Sequence, residues 1–189
     1  MSVTSAAVSG YRLVVPADWH GIDLDPDDRG RSVAALIDRQ FAGTYSAPRL
    51  KSEARRELLA RAAAAHAAGG VELYLSLQRI SGIPVPASLA IFLLPPDDDR
   101  AIAAGRLAQV LSVAEQQVSV VDLPAGQAVR MLHSQATAGK RGSAIHEIFV
   151  PVPDSGWWLL LAFATPIGPL SRPLSSLFDA IATTLRWDR

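Results

Sequence analysis

Cysteine is absent from the 189 residues, which excludes disulfides, thiolate metal sites and cysteine nucleophiles together. The compartment is not decided by that absence. Lysine is almost missing as well, with only Lys51 and Lys140, while arginine carries the remaining basic charge and alanine is abundant. Both biases read as the coding preference of a GC-rich bacterial genome. No apolar run reaches the ~20 residues that a membrane helix needs. The opening MSVTSAAVSGYRLVV has no basic n-region and no long apolar stretch, so it does not read as a signal peptide, and a cytoplasmic location is expected. Neither sign of charge is in excess: 18 basic residues balance 18 acidic ones, so no overall field draws nucleic acid or an anionic membrane.

The usual catalytic signatures are missing too. There is no G-x-x-x-x-G-K phosphate loop, no G-x-G-x-x-G dinucleotide turn and no serine in a glycine-flanked elbow. Ser81-Gly82 and Ser155-Gly156 read as turns. Glu147 is the one carboxylate expected in mid-strand, and without a second at suitable spacing it supports no glycosidase-type pair. No residue is assigned a catalytic or cofactor-binding role, and no cofactor is expected.

What is present is apolar patterning. In WWLLLAFATP, starting at Trp157, one alternation carries Trp157, Leu159, Leu161 and Phe163, and the other carries Trp158, Leu160, Ala162 and Ala164. Neither set faces water cheaply, because burying a large apolar side chain is worth roughly 1.5–3 kcal/mol. The stretch is therefore expected to be an interior strand covered on both faces, and the run Ala87 to Leu94 reads the same way.

Around these, the periodicity predicts a strand over Tyr11 to Val15, with Ile22 and Leu24 as its return partner, in an N-terminal hairpin or a bent edge strand. A helix then follows Asp25-Pro26-Asp27-Asp28, burying Val33, Leu36, Ile37 and Phe41, and a second helix from Ser52 to Ala68 buries Ala54, Leu58, Ala62 and Ala65. Gly69-Gly70 stops that helix, and Val71, Leu73, Leu75 and Leu77 form the inner side of a strand. Asp97 to Asp99 cap a third helix reaching about Ala114. Strands follow at Gln117 to Leu123, Ala128 to Thr137 and Ser143 to Val150, the last two joined by Gly139-Lys140-Arg141-Gly142. A final helix carries Leu170, Leu174, Leu177, Phe178, Ile181 and Leu185 as one stripe. With no repeat and no long linker, 1–189 reads as one domain. The expected fold is α+β, an α/β/α sandwich with a mainly antiparallel central sheet covered by helices on both faces.

Three constellations carry a chemical reading beside a plainer one. Asp23, Asp25, Asp27 and Asp28 alternate like a calcium loop, but such a loop needs glycine at its sixth position and glutamate at its twelfth, where this chain has Asp28 and Ala34. Helix capping is the plainer reading. His133 and His146 come together if Ala138 pairs with Ser143, which puts His146 opposite Gln135 and diagonal to His133, beside Met131, Ile148 and Val150. A zinc site needs a third ligand, so no metal is assigned and a polar sheet patch is the plainer reading. Arg49, Lys51, Arg55, Arg56 and Arg61 concentrate positive charge on one helix, yet Glu53 and Glu57 are interspersed, as on a solvated face.

The order of elements resembles the PsbP-like (Mog/PsbP) family, carried by YRLVVPADW, by HEIFVPVP with WWLLLAFATP, and by SSLFDAIATTLRW. In that family the helix after a serine- or threonine-proline packs a phenylalanine and an isoleucine onto the sheet, as Phe178 and Ile181 are placed to do. The resemblance implies a non-enzymatic binding or assembly role, since its members include GTPase partners, photosystem subunits and chaperones for secreted bacterial effectors. A protein-binding adaptor or chaperone, with a protein partner or a second copy as ligand, is one expectation. A small-ligand binder or small enzyme with its pocket near His133 and His146 is the other. The surface that binds a partner is not assigned.

Overall fold

The computed structural model describes residues 10–42, 48–76, 79–80, 83–96, 104–112, 117–135, 143–166 and 171–188. They fall into two compact units, Ala17–Phe92 and Met1–Pro16 with Leu93–Arg189.

In the Ala17–Phe92 unit, β2 (Trp19–Ile22) leads into α1 (Pro26–Gln40) and α2 (Pro48–Ala67), followed by β3 (Gly70–Ser76) and the first five residues of β6 (Ser88–Leu94). Two short strands, β4 (Arg79–Ile80) and β5 (Ile83–Pro84), form a hairpin between them. The antiparallel order is β2-β3-β6. Asp25 is the N-cap of α1: its carboxylate accepts from the Asp27 amide at 2.9 Å, Pro26 occupies the first turn, and Asp23 in turn accepts from the Asp25 amide at 2.9 Å. The carboxylates at Asp25, Asp27 and Asp28 thus meet the positive end of the helix. Capping is what this acidic stretch does. Leu73 on β3 and Ile22 on β2 close with Val33, Leu36, Ile37 and Ala62 into one buried cluster, so both helices cover the same sheet face.

The passage from α2 to β3 is a close approach. Gly69 takes φ 82°, the left-handed conformation that ends helices, and a Cβ on Gly70 would lie 2.7 Å from the Ala65 carbonyl oxygen and 3.2 Å from Leu24 Cδ1. Gly70→Ala is expected to cost ~1–3 kcal/mol, because the obstacle is backbone and cannot rotate away. Urea unfolding checks it, and a midpoint equal to the parent's would show that α2 and β3 separate freely.

A register shift between Gly70 and Glu72 interrupts the pairing of β3 with β6. It turns Val71 outward, leaving it 46% exposed instead of on the inner side that strict alternation predicts.

In the other unit, β7 (Gln117–Leu123), β8 (Gly126–Gln135), β9 (Ser143–Pro151) and β10 (Trp158–Thr165) form an antiparallel meander, with α3 (Ala104–Leu111) before it and α4 (Ser171–Ala182) after it. Consecutive strand residues point to opposite faces. One face carries Val129, Phe149 and Trp158 beneath Ala104 and Leu107 of α3. The other carries Arg130, His146 and Phe163 beneath Phe178 and Asp179 of α4. Helices on both faces of antiparallel strands make the α+β, α/β/α layering expected from the sequence. β10 is apolar on both sides: Leu159, Leu161 and Phe163 are at most 1% exposed, and Trp158 is 7% exposed. Trp157 precedes the strand and is half out in solvent.

Two expectations fail. The N-terminal strand β1 (Gly10–Arg12) does not pair with the Ile22 segment; it pairs antiparallel with β11 (Arg186–Asp188), a strand beyond the final helix that the helical stripe alone does not predict. The Tyr11 and Trp187 rings meet edge to face, and Trp187 Nε1 donates to the Ala125 carbonyl at 2.9 Å. The hairpin of β8 with β9 has Gln135, not Ala138, opposite Ser143. The expected Gly139–Gly142 loop and the Asp97–Asp99 cap lie outside the described residues.

Candidate functional site

The register of β8 with β9 separates the two histidines. Leu132 is opposite His146 and His133 is opposite Ile145, so the two rings emerge on opposite faces of the meander. The pocket expected near His133 and His146 is therefore not formed by both. A slip of three residues, like a slip of one, transfers every side chain of a strand to the other face. The observed register buries Ile148 and Val150 on the face of His146 and Val129 beneath α3.

His133 instead lies diagonal to Glu147, with Nδ1 3.9 Å from a carboxylate oxygen and both side chains about four-fifths buried. Burial raises the Glu147 carboxyl above its ordinary pKa, and His133 pulls the other way. Two groups at this distance make a loose polar pair, and among the described residues no three His, Asp or Glu side chains are grouped to hold a metal ion. Chelator is expected to leave the melting temperature unchanged, since a metal bound only by the folded state would stabilise it by mass action. A drop of several degrees, restored by one metal, is the contrary result.

On the opposite face, His146 is 3% exposed and assembles a cluster with residues far away in sequence. Its Nε2 lies 3.3 Å from Asp179 Oδ1 on α4, and Arg130 Nη1 on β8 donates to Asp179 Oδ2 at 3.1 Å. Arg130 Nε also donates to Ser119 Oγ on β7 at 3.3 Å. The imidazole is edge-on to Phe163 and Phe178, which stack on each other at 4.6 Å.

The 3.3 Å separation is an ion-pair distance, yet burial pushes the His146 pKa down to about 4 against the opposing pull of Asp179, with Arg130 adding to the decrease. Burial decides, because Arg130 already neutralises the one nearby carboxylate. At neutral pH the cluster is a neutral imidazole beside an Arg130–Asp179 pair. Neither imidazole nitrogen has a hydrogen bond among the described residues. A histidine and a carboxylate invite comparison with a catalytic dyad, but both imidazole nitrogens are buried. This site was missed from the sequence because Arg130 and Asp179 are 49 positions apart. The signal that could have found it was an arginine inside the otherwise apolar strand AVRML.

The Ala17–Phe92 unit holds an open cleft of about 560 Å³ along β2, β3 and the start of α1, with Asp23, Asp28, Arg31, Val71, Glu72 and Tyr74 in its lining. Arg31 is bonded to Asp28, and the Tyr74 hydroxyl donates to Glu72. Burial and then the Glu72 contact raise the Tyr74 pKa to about 12, so the phenol stays protonated. Arg31 is thus engaged with one carboxylate of the cleft and Glu72 with a neutral phenol, which leaves the lining of Asp23, Asp28, Arg31 and Glu72 with an acidic excess. On α2, Arg49 pairs with Glu53 and Arg61 with Glu57, while Lys51 stands 5.8 Å over the Phe41 ring. That is the pattern of a solvated helix face.

The fold has a counterpart among solved structures. Among solved structures the chain is similar to LpqN of Mycobacterium tuberculosis, described as involved in cell envelope biogenesis. The TM-score is 0.53 and the identity 13%, over 96% of this chain and 86% of that one. It is also similar to cyanobacterial PsbP from Synechocystis, with TM-score 0.49 and 12% identity over 100% of this chain and 97% of that one. The Ran-binding protein Mog1p of Saccharomyces cerevisiae has TM-score 0.41 and 10% identity over 61% of this chain and 77% of that one. No family model matches the sequence, and a search of curated proteins gives no match. Identities this low relate folds, not activities. Among the described residues no helix is long and apolar enough to cross a membrane.

Proposed function

We propose that this chain is a non-catalytic protein-binding or assembly module, acting as an adaptor or chaperone in a bacterial secretion or assembly system in the cytoplasm. The observation that carries this reading is the contrast between the two polar sites. In the constellation with catalytic residue types, His146 with Asp179, the imidazole is buried, 3% exposed, against Phe163 and Phe178. The accessible cleft is lined by three carboxylates and one arginine, with Arg31 bonded to Asp28 and the neutral Tyr74 hydroxyl to Glu72, around an exposed Val71. Such a surface offers contact area and shape with no activated group. The description of LpqN, a shared fold at TM-score 0.53, as involved in cell envelope biogenesis supports an assembly role.

The test is purification of the tagged chain from its own host, followed by reconstitution of any complex from purified components. A stoichiometric complex, or a homo-oligomer, is the expected result. Val71→Asp weakens a complex seated on the cleft by about tenfold, while stability stays within about 0.5 kcal/mol, as for surface changes generally. A chain that stays monomeric, forms no stoichiometric complex and turns over a small molecule would overturn the reading. A small-ligand binder is the second reading, because about 560 Å³ lies within the ~300–1,000 Å³ typical of ligand pockets. Its site is this cleft and not the His133 and His146 region.

A further inference from the structure

We propose that β7 is a self-association edge, at which two copies pair their Gln117–Leu123 strands antiparallel about a two-fold axis at Val120. The proposal rests on the binding-module reading and adds to the cleft a second surface with a named partner. Among the described residues, β7 pairs with β8 alone, at the end of the order β10-β9-β8-β7. Among the described residues nothing pairs with the opposite side of β7, which presents a row of backbone groups.

Edge strands in soluble proteins are normally blunted by being short, by a bulge, by proline or by lysine. β7 has none of these. Its seven residues, QVSVVDL, pair with β8 in unbroken register from Gln117 to Leu123. Its one charge is Asp122, near the end, and at its centre Val120 is 41% exposed.

The occupant that fits is a second copy. A two-fold axis through Val120, the middle residue, gives the full seven-residue overlap: Val120 meets Val120, Ser119 meets Val121, Val118 meets Asp122 and Gln117 meets Leu123. No charge is placed opposite a like charge, whereas an axis at Asp122 would oppose the two carboxylates. The axis runs perpendicular to the sheet and so keeps each face continuous. Val118 and Val120 of both copies then form one apolar row on the α3 side. A formal net charge of zero offers little long-range repulsion to association.

The absence of native cysteine makes the test clean. Directly opposed residues in an antiparallel pair have Cβ atoms roughly 4.5–5.5 Å apart, near disulfide reach. Mild oxidation of Val120→Cys is therefore expected to yield a covalent dimer, while Leu50→Cys, 55% exposed on α2, stays monomeric. In light scattering over a concentration series the parent dimerises, and Val120→Lys raises the dissociation constant by about tenfold or more by opposing two ammonium groups. Circular dichroism melts verify that both variants fold. A parent that dimerises undiminished in Val120→Lys, with no cross-link through Val120→Cys, overturns the edge and leaves the binding-module reading standing. A parent that stays monomeric at every concentration overturns the self-association, and the reconstitution described above then decides the wider reading separately.

Discussion

Trp158→Ala is expected to destabilise the chain by ~3–5 kcal/mol, the range for deleting a large buried aromatic. Trp158 is 7% exposed and packs with Ala104 and Val129, with Leu94, Leu107, Leu111 and Phe149 around them. The indole is therefore the shared anchor between α3 and the sheet face formed by β8, β9 and β10. A loss of this size is a large part of a typical domain stability of ~5–15 kcal/mol. Part of it is apolar area returned to water, and the rest is the cavity left beneath α3, which neighbours held in a sheet cannot collapse to fill. Trp157→Ala provides the contrast within the same dipeptide. Trp157 is 38% exposed, and its removal is expected to cost under about 1 kcal/mol. Denaturant unfolding of both variants measures the difference, and near-equal effects would refute the assignment of Trp158 to a covered strand.

Acidification provides the second large effect. In the unfolded chain His146 titrates near its ordinary value of 6.5, while in the folded chain burial holds it at about 4. Between those values the unfolded state binds a proton that the folded state refuses. Stability from this group is thus present above about pH 6.5 and is lost as pH falls toward about 4, where the folded state protonates as well. Each tenfold difference in proton affinity between the two states is worth about 1.4 kcal/mol, so the loss reaches ~2–3 kcal/mol.

Glu147 acts in the opposite sense. Its raised pKa means that the folded state takes up a proton more readily than the unfolded one, so acidification through its titration favours the fold. The useful quantity is therefore the difference between the parent and His146→Leu, which cannot titrate at this position. Measured by urea unfolding at pH 7 and pH 4.5, the parent is expected to lose ~2–3 kcal/mol more than the variant. Equal losses would show that His146 is not held neutral between Phe163 and Phe178.

Much of the fold was legible because the signals are local. The caps at Asp25 and Pro26, the stop at Gly69, and the period of Leu174, Phe178 and Ile181 each depend on neighbours within a few residues. The double-sided apolar character of β10 is equally local, since any strand with Leu159, Leu160, Leu161 and Phe163 must be covered on both sides.

The tertiary structure decided everything that depends on which residues meet. The pairing of Gly10–Arg12 with Arg186–Asp188 joins the two ends of the chain, and no short-range pattern encodes it. The offset of β8 against β9 could not be counted from the glycines of their loop. It follows from which apolar side chains α3 and α4 can bury, and this odd offset put His133 and His146 on opposite faces. The same packing brought Arg130 and Asp179 to His146. Hydrophobic period and capping are short-range and survive in one dimension; register and buried charge are settled only by the free energy of closing two helices onto a sheet.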